Sequence, residues 1–393
     1  MTVLRIRSVR VRAILNSGGG AAAEAEVALS DGTVGRGSAP VAIKPGRRER
    51  PVTESLRVGR PLPQPIERAL APLPGTAVGS QEALDTWLDR HLPVLGTDVA
   101  LAVSLAYARA AAKESGTAFH RYLAEQADRR PGYPGLLAAV VSGGLHRPGT
   151  GIPFQQIMLA TDRRPPSETV PVLLEAYARV EEILMTRGQL SGYSASGGMI
   201  VDSLDPSLPL DVLNGVIEGS GLSLAIDVAS EHLRTADGYR LGDETMDAEE
   251  LADRLTALAD LYPITFLEDP FTADDVGSWS RLRDRLPAGV ALVGDDLYAT
   301  NTEYIDPALS AGIVLKMNQV GTVTAALRAS ARASELGMSR CVSHRSLETE
   351  DTSVVDLAVA IDADWLKIGG PRRGDRTAKY NRLLWLEDAL DAA

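Results

Sequence analysis

Most of the side chains that could do chemistry sit in four short stretches towards the end of the chain. VGDDLYATN (Val293–Asn301), VLKMNQVGT (Val314–Thr322), VSHRSLETEDT (Val342–Thr352) and WLKIGGP (Trp365–Pro371) follow one another at intervals of roughly twenty to thirty residues. That is the spacing at which a β/α barrel brings successive strand ends to one mouth. Each stretch opens on an apolar run and closes on polar groups: Asp295 and Asp296, Lys316 and Asn318, Ser343 to Ser346, and Lys367. Polar residues at the C-terminal ends of barrel strands face the active site, so these groups are expected to converge. Two lysines, an acidic pair, a histidine and an arginine in one cavity indicate chemistry on an anionic substrate beside a metal.

Three acids end strand-like runs: Asp227 in LAIDVASEH, Glu268 in ITFLEDPF and Asp295 in ALVGDDL. Carboxylates from neighbouring strand ends suit Mg²⁺, a hard cation that takes oxygen ligands in octahedral geometry and leaves other positions to water or substrate. Taken singly, each acid could equally cap a helix or pair with an arginine. Lys316 follows GIVL and Lys367 follows ADWL. A charged amine at the end of a buried strand is either an ion-pair partner or a functional group, because burying it alone is costly. Beside Mg²⁺ and a second lysine, like charge and desolvation are expected to lower the Lys316 pKa and free a neutral amine to act as a base. Arg345 and Ser346, next to His344 in VSHRS, offer a forked donor and a hydroxyl suited to phosphate. His146, after the turn SGGL, is a further candidate, although a loop histidine is as often structural.

The elements that must position these groups are legible in outline. Apolar and polar residues alternate from Leu4 to Leu29 around a break at Asn16 to Gly20, and Asp31-Gly32 gives a turn, so the chain opens as a β-meander. Arg36 to Glu49 holds Pro40, Pro45, Gly46 and several basic residues and reads as an exposed mobile loop able to close over a ligand. The alanine-rich run Thr97 to Ser115, stopped by Gly116, predicts a helix. Together these form an α+β capping domain over residues 1–127. The proline-bearing run Asp128 to Pro134 is the linker, and an α/β barrel is expected over residues 135–393. There, strands and helices alternate after LLAAVVSGG, with helices at Ser167 to Arg187 and Ala248 to Leu261.

A chain of 393 residues that is 45% hydrophobic can bury a large core. The net charge of -12, from 40 basic and 52 acidic residues without long runs of one sign, argues against a nucleic-acid or anionic-membrane surface. Cys341 is the only cysteine, so no internal disulfide is possible and a reducing, cytoplasmic compartment is expected. Arginines interrupt the apolar N-terminus, which therefore has no signal-peptide core, and no later window reads as a membrane span.

LAIDVASEH, YPITFLEDPFTADD, LVGDDLYATN, VLKMNQVGTVTAA, VSHRSLETEDT and LKIGGPRRGDRTAKYNRLLWLE resemble, in order and spacing, the successive motifs of the enolase family. VALSDGTVGRG and GTDVALAVSLAYARAAA agree more loosely, so the resemblance covers nearly the whole chain. It implies an enolase-type β/α barrel with an N-terminal α+β cap, assembled as a homodimer or higher homo-oligomer. Position by position, it makes Asp227, Glu268 and Asp295 the Mg²⁺ ligands and Lys316 the base that removes the proton α to the substrate carboxylate. Lys367 with Mg²⁺ would hold that carboxylate, and Arg345 and Ser346 the phosphate, with His344 beside them. Cations on the carboxylate are what make its α-proton removable, and a lysine base with Mg²⁺ is the pattern known for enolase-superfamily sites.

The resemblance breaks at three places. The family's glutamate in a QEFM-like segment is Gln156 in FQQIM, and the glutamate of GDEGG is Ser196 in SASGG. Those acids assist departure of the substrate hydroxyl, which neither an amide nor a serine can protonate near neutral pH. A metal-binding serine of the mobile loop is Lys44 in VAIKPG, an ammonium that cannot coordinate a cation. Three readings follow. The first is a specialised relative acting on a 2-phosphoglycerate- or phosphoenolpyruvate-like compound, or on a phosphonate analogue. The carboxyphosphonoenolpyruvate synthases of phosphinic-acid antibiotic pathways, such as phosphinothricin biosynthesis, fit this best, with Gln156, Lys44, Arg47 and Arg48 as further substrate contacts. The second is a plain dehydratase in which His146, Asp202 or another acid takes over. The third is a non-catalytic binding protein on the enolase fold.

Overall fold

The computed structural model of the chain describes residues 4–44, 46, 49–52, 55–146 and 151–391. Its N-terminal part is the expected meander. Strands β1 (Leu4–Leu15), β2 (Ala21–Leu29) and β3 (Val34–Ala39) pair antiparallel in that order. Asn16 closes the first turn by accepting from the N–H groups of Gly18 and Gly20 at 2.9 and 3.1 Å. Arg36 to Ala39 complete β3, so the expected loop begins only at Pro40. The long helix Gln81–Glu114 lies on this sheet. It starts well before Thr97, capped by Ser80, and bends at Gly96, whose φ of 65° only glycine adopts readily. Glycine and alanine are needed where helix and sheet meet, because a Cβ on Gly35 would lie 2.0 Å from the carbonyl oxygen of Ala106. This helix is long and apolar enough to cross a membrane, contrary to the sequence expectation, but 89% of its apolar window is buried inside the fold. Its hydrophobicity is that of a core element.

Eight strands form the second part: Gly135–Ser142, Gln156–Ala160, Ser223–Asp227, Ile264–Glu268, Ala291–Gly294, Gly312–Leu315, Ser339–Ser343 and Trp365–Lys367. Each pairs with the next, and the eighth pairs with the first, closing a barrel. Seven run parallel, whereas the second is antiparallel to both neighbours. Strict alternation of strand and helix therefore fails here, and again between the fifth and sixth strands, where the described chain makes only turns. Between the first two strands the described chain makes only a short 3₁₀ turn, Gly144–His146, and without a helical crossover the strand returns in the opposite direction. Helices follow the second, third, fourth, sixth, seventh and eighth strands. Ala248–Leu261 coincides with the sequence reading and Pro166–Thr186 nearly so. Asp247 and Glu250 cap the former reciprocally, which fixes its start. Leu137, Ala139, Met158, Ala160, Ala225, Phe266, Val293, Val314 and Cys341 fill the barrel lumen. They are the inward members of the strand alternation, and they plug the lumen so that polar chemistry is confined to its mouth.

Buried polar contacts lock the two parts together. Asp351 accepts from both ends of the Arg109 guanidinium at 2.5 and 2.7 Å and from the Ser38 N–H at 3.0 Å. Asp85, inside the long helix, accepts from the Thr324 N–H at 2.8 Å.

Candidate active site

Strand register brings the predicted groups together. Asp227 and Glu268 end the third and fourth strands and are direct cross-strand partners, as are Ser343 and Lys367 at the ends of the seventh and eighth. Asp295 and Lys316 follow the fifth and sixth strands immediately. Because the second strand runs backwards, its first residue, Gln156, reaches the same mouth and pairs with Asp227. Gln156, Asp227, Asp295, Lys316, His344, Arg345, Ser346, Lys367 and Lys44 line one pocket of about 90 Å³. At about 30 Å³ per water, that is room for a small anion. Glu268 lies directly beneath, bonded to Lys367. A larger groove of about 860 Å³ runs between β1 and the barrel, and none of these residues lines it.

The carboxylates fall into two groups, each built around an ammonium. Lys367 Nζ donates to Asp227 Oδ2 and Glu268 Oε2, both at 2.7 Å. Glu268 is 1% exposed, and its Oε1 is buried without a hydrogen-bond partner among the described residues. Burial and the neighbouring Asp227 push its pKa up to about 8 against the pull of Lys367. Lys367 in turn is held charged: burial opposes this, and the two carboxylates outweigh it. Lys316 Nζ pairs with Asp295 Oδ2. The pKa of Lys316 is raised rather than lowered, because Asp295 outweighs both desolvation and the like charges of Arg345 and Lys367. The free amine expected from the sequence is therefore an ammonium as long as Asp295 faces it. Asp295 is held low by Lys316 despite its burial.

Asp269, which the sequence reading passed over, anchors this second group. Its oxygens accept from the N–H groups of Asp295 and Asp296, both at 2.8 Å, and its φ of 44° is a strained value for a non-glycine residue. Ligand oxygens of Asp269, Asp295 and Asp296 lie within 4.8 Å of one another, so this buried acidic cluster could bind a metal ion. The Asp227–Glu268 pair fits a cation on separate grounds: it already encloses a positive charge, and Glu268 Oε1 has spare acceptor capacity. Burial, then Arg376 and Lys367, hold His344 neutral, and its Nδ1 has no hydrogen-bond partner among the described residues.

Residues 133–393 match the family described as Enolase, C-terminal TIM barrel domain. The chain belongs to the enolase family. It is 33% identical over 413 aligned positions to the enolase of Mycobacteroides abscessus, an alignment that covers 99% of this chain and 95% of that protein.

Within this enolase-family barrel, Gln156 and Ser196 touch each other. Gln156 Nε2 donates to Ser196 Oγ at 3.1 Å, and Ser194 Oγ lies 2.9 Å from both Ser196 Oγ and Ser142 Oγ. Gln156 and Ser196 are 5% and 0% exposed, and Gln156 Oε1 has no hydrogen-bond partner among the described residues. Gly369 permits this packing, since a Cβ there would lie 2.6 Å from the Ser196 carbonyl oxygen. Behind the pocket-lining Gln156, buried hydroxyls thus take the place of any charged group. Asp202 is exposed and bonded to Ser191 on the outer hairpin, so the structure does not bring this candidate acid to the pocket lining. The side chain of His146, and Arg47 and Arg48 entirely, lie outside the described residues.

Further residues in the enolase-type pocket escaped the sequence reading. Glu49, Gln155 and His232 all line it. Burial and then Lys44 lower the pKa of His232, which places that lysine's charge at the mouth. His232 stood in a quoted motif, so its spacing after Asp227 was the available signal; Glu49, in a basic loop, gave none.

Proposed function

We propose that the protein is a divergent, Mg²⁺-dependent enolase relative that removes the α-proton of a small phosphorylated or phosphonate-bearing carboxylate and then performs chemistry other than expulsion of hydroxide. The carrying observation is the Gln156–Ser196 hydrogen bond at 3.1 Å, which puts two groups unable to donate a proton near neutral pH where the family keeps its acids. Asp227, Glu268 and Asp295 are the residues that would hold Mg²⁺. When bound, it would supply Lewis-acid stabilisation of the substrate carboxylate as the α-proton leaves.

The chain's own groups divide the remaining work. Lys316 takes the α-proton once its amine is released from Asp295. Lys367 adds positive charge at the substrate carboxylate. Arg345 and Ser346 hold the phosphate or phosphonate through a planar fork and a hydroxyl. His344, kept neutral, offers an uncharged ring nitrogen beside them. Gln156 orients a neutral polar substituent, and Lys44 meets a second anionic group at the mouth. The depletion of acids together with the added ammonium favours a co-substrate carrying a second phosphorus-bearing anion, as in carboxyphosphonoenolpyruvate synthases. The protein would act in the cytoplasm as a homodimer or larger homo-oligomer.

The test is formation of phosphoenolpyruvate from 2-phosphoglycerate with Mg²⁺, run beside Lys316→Ala. Binding of 2-phosphoglycerate without turnover supports the proposal, and phosphonate co-substrates are then tried. Robust turnover lost in Lys316→Ala establishes a phosphopyruvate hydratase with a rearranged acid, the second reading, which the 33% identity to a protein named enolase favours.

A further inference from the structure

We infer that Glu49 is a positioning residue that fixes Arg345 for the substrate anion and ties the Lys44 segment to it. Glu49 lies 296 residues from Arg345 in sequence, yet its Oε1 accepts from Arg345 Nη2 at 2.9 Å. The two side chains are only 3% and 7% exposed. A buried guanidinium needs a buried carboxylate, and here the chain supplies one from outside the barrel. The same oxygen accepts from the Gly46 N–H at 3.2 Å and from Gln319 Nε2 at 3.5 Å.

Arg345 is gripped from a second side by Asn318, whose Oδ1 accepts from Nη1 at 3.3 Å. Asn318 uses its own Nδ2 to hold the Pro40 carbonyl at 3.2 Å. Val41 and Leu347 exchange backbone hydrogen bonds at 2.8 and 2.9 Å. Beyond Glu49, the Arg50 carbonyl accepts from the Thr97 N–H at 3.1 Å, and the Val52 N–H donates to Asp98 at 3.0 Å. Lys44 is therefore carried between two tethers, at Pro40–Val41 and at Glu49, that both converge on Arg345 and its neighbours. Glu49 and Asn318 each take one N–H of a five-donor fork, which sets its plane and leaves donors for the pocket that Glu49 and Arg345 share. Anchoring of the anion-binding arginine and delivery of Lys44 are thus one structural event.

This rests on the assignment of Arg345 to the substrate anion, and the experiment separates the two. Binding of 2-phosphoglycerate with Mg²⁺ is measured by calorimetry on the full chain for the parent, Glu49→Gln, Glu49→Asp, Arg345→Ala, Lys44→Ala and Glu49→Gln/Lys44→Ala. Glu49→Gln is expected to raise Kd about tenfold or more, the weight of a hydrogen bond between charged groups. Glu49→Asp, which keeps the charge on a shorter arm, should fall between parent and Glu49→Gln. Lys44→Ala should weaken binding in the parent and add nothing to Glu49→Gln, a coupling that a merely structural role would not produce. Unchanged binding in Glu49→Gln with binding lost in Arg345→Ala overturns the role of Glu49 alone. Tighter binding in Glu49→Gln also overturns it, since Glu49 would then be competing with the anion. Unchanged binding in Arg345→Ala removes the assignment on which the inference stands.

Discussion

Replacing Lys316 by alanine separates proton abstraction from whatever follows it. The Lys316 side chain is 13% exposed and pairs with Asp295 at the mouth of the barrel. A positioned general base contributes about 10²- to 10⁴-fold, or about 2.7–5.4 kcal/mol of barrier. The assay is exchange of the α-proton of 2-phosphoglycerate in D₂O with Mg²⁺, followed by proton NMR, which reports abstraction whether or not the hydroxyl departs. The parent should exchange, and Lys316→Ala should do so about 10²- to 10⁴-fold more slowly. Because Asp295 holds Lys316 protonated, exchange should also stop when divalent cations are chelated and Asp295 is left facing the amine. Deletion of Lys316 leaves a buried acidic cluster without its ammonium, so retained folding must be verified by thermal unfolding. A folded Lys316→Ala protein that exchanges within about threefold of the parent would refute the assignment, because the loss expected from a missing base is at least about tenfold larger.

Restoring carboxyls with Gln156→Glu/Ser196→Glu should bring in or raise dehydration of 2-phosphoglycerate by about 10²-fold or more; no gain in phosphoenolpyruvate formation would mean these positions do not set the leaving-group chemistry. Asp351→Asn takes the carboxylate from the half-buried Arg109, which keeps its bond to the Arg36 carbonyl, and should cost about 3 kcal/mol, the lower end for a buried pair, in denaturant unfolding at pH 7. Arg109 holds the Asp351 carboxyl far below the usual range despite its burial. The parent's advantage over Asp351→Asn should therefore be complete above about pH 4 and shrink as the pH falls below it, and a gap independent of pH would contradict the ion pair. Gly35→Ala should destabilise by about 2–3 kcal/mol through contact with the Ala106 carbonyl, and an unchanged melting temperature would show that the helix can move away.

The barrel was legible because its strands carry two independent signals, an apolar run and a polar stop, and Asp227, Glu268, Asp295, Lys316 and Lys367 stand at those stops. The helix Ala248–Leu261 was legible because its cap is local, Asp247 followed by Glu250. The reversed second strand was not, since strand direction depends on what connects the strands, and Gln156 reaches the mouth only through that reversal. The raised pKa of Lys316 with Asp295 facing it was not legible, because that carboxylate acts through space and outweighs burial and the like charges of Arg345 and Lys367.

Residue types, spacing and local caps thus determine, from the sequence alone, that a barrel presents acids, lysines and an arginine at one end. Only the tertiary structure decides which ammonium meets which carboxylate, that Gln156 bonds Ser196, and that Glu49 lies on Arg345. The physical reason is that charge pairing and burial depend on distances of a few ångströms between groups that chain order leaves up to 296 residues apart.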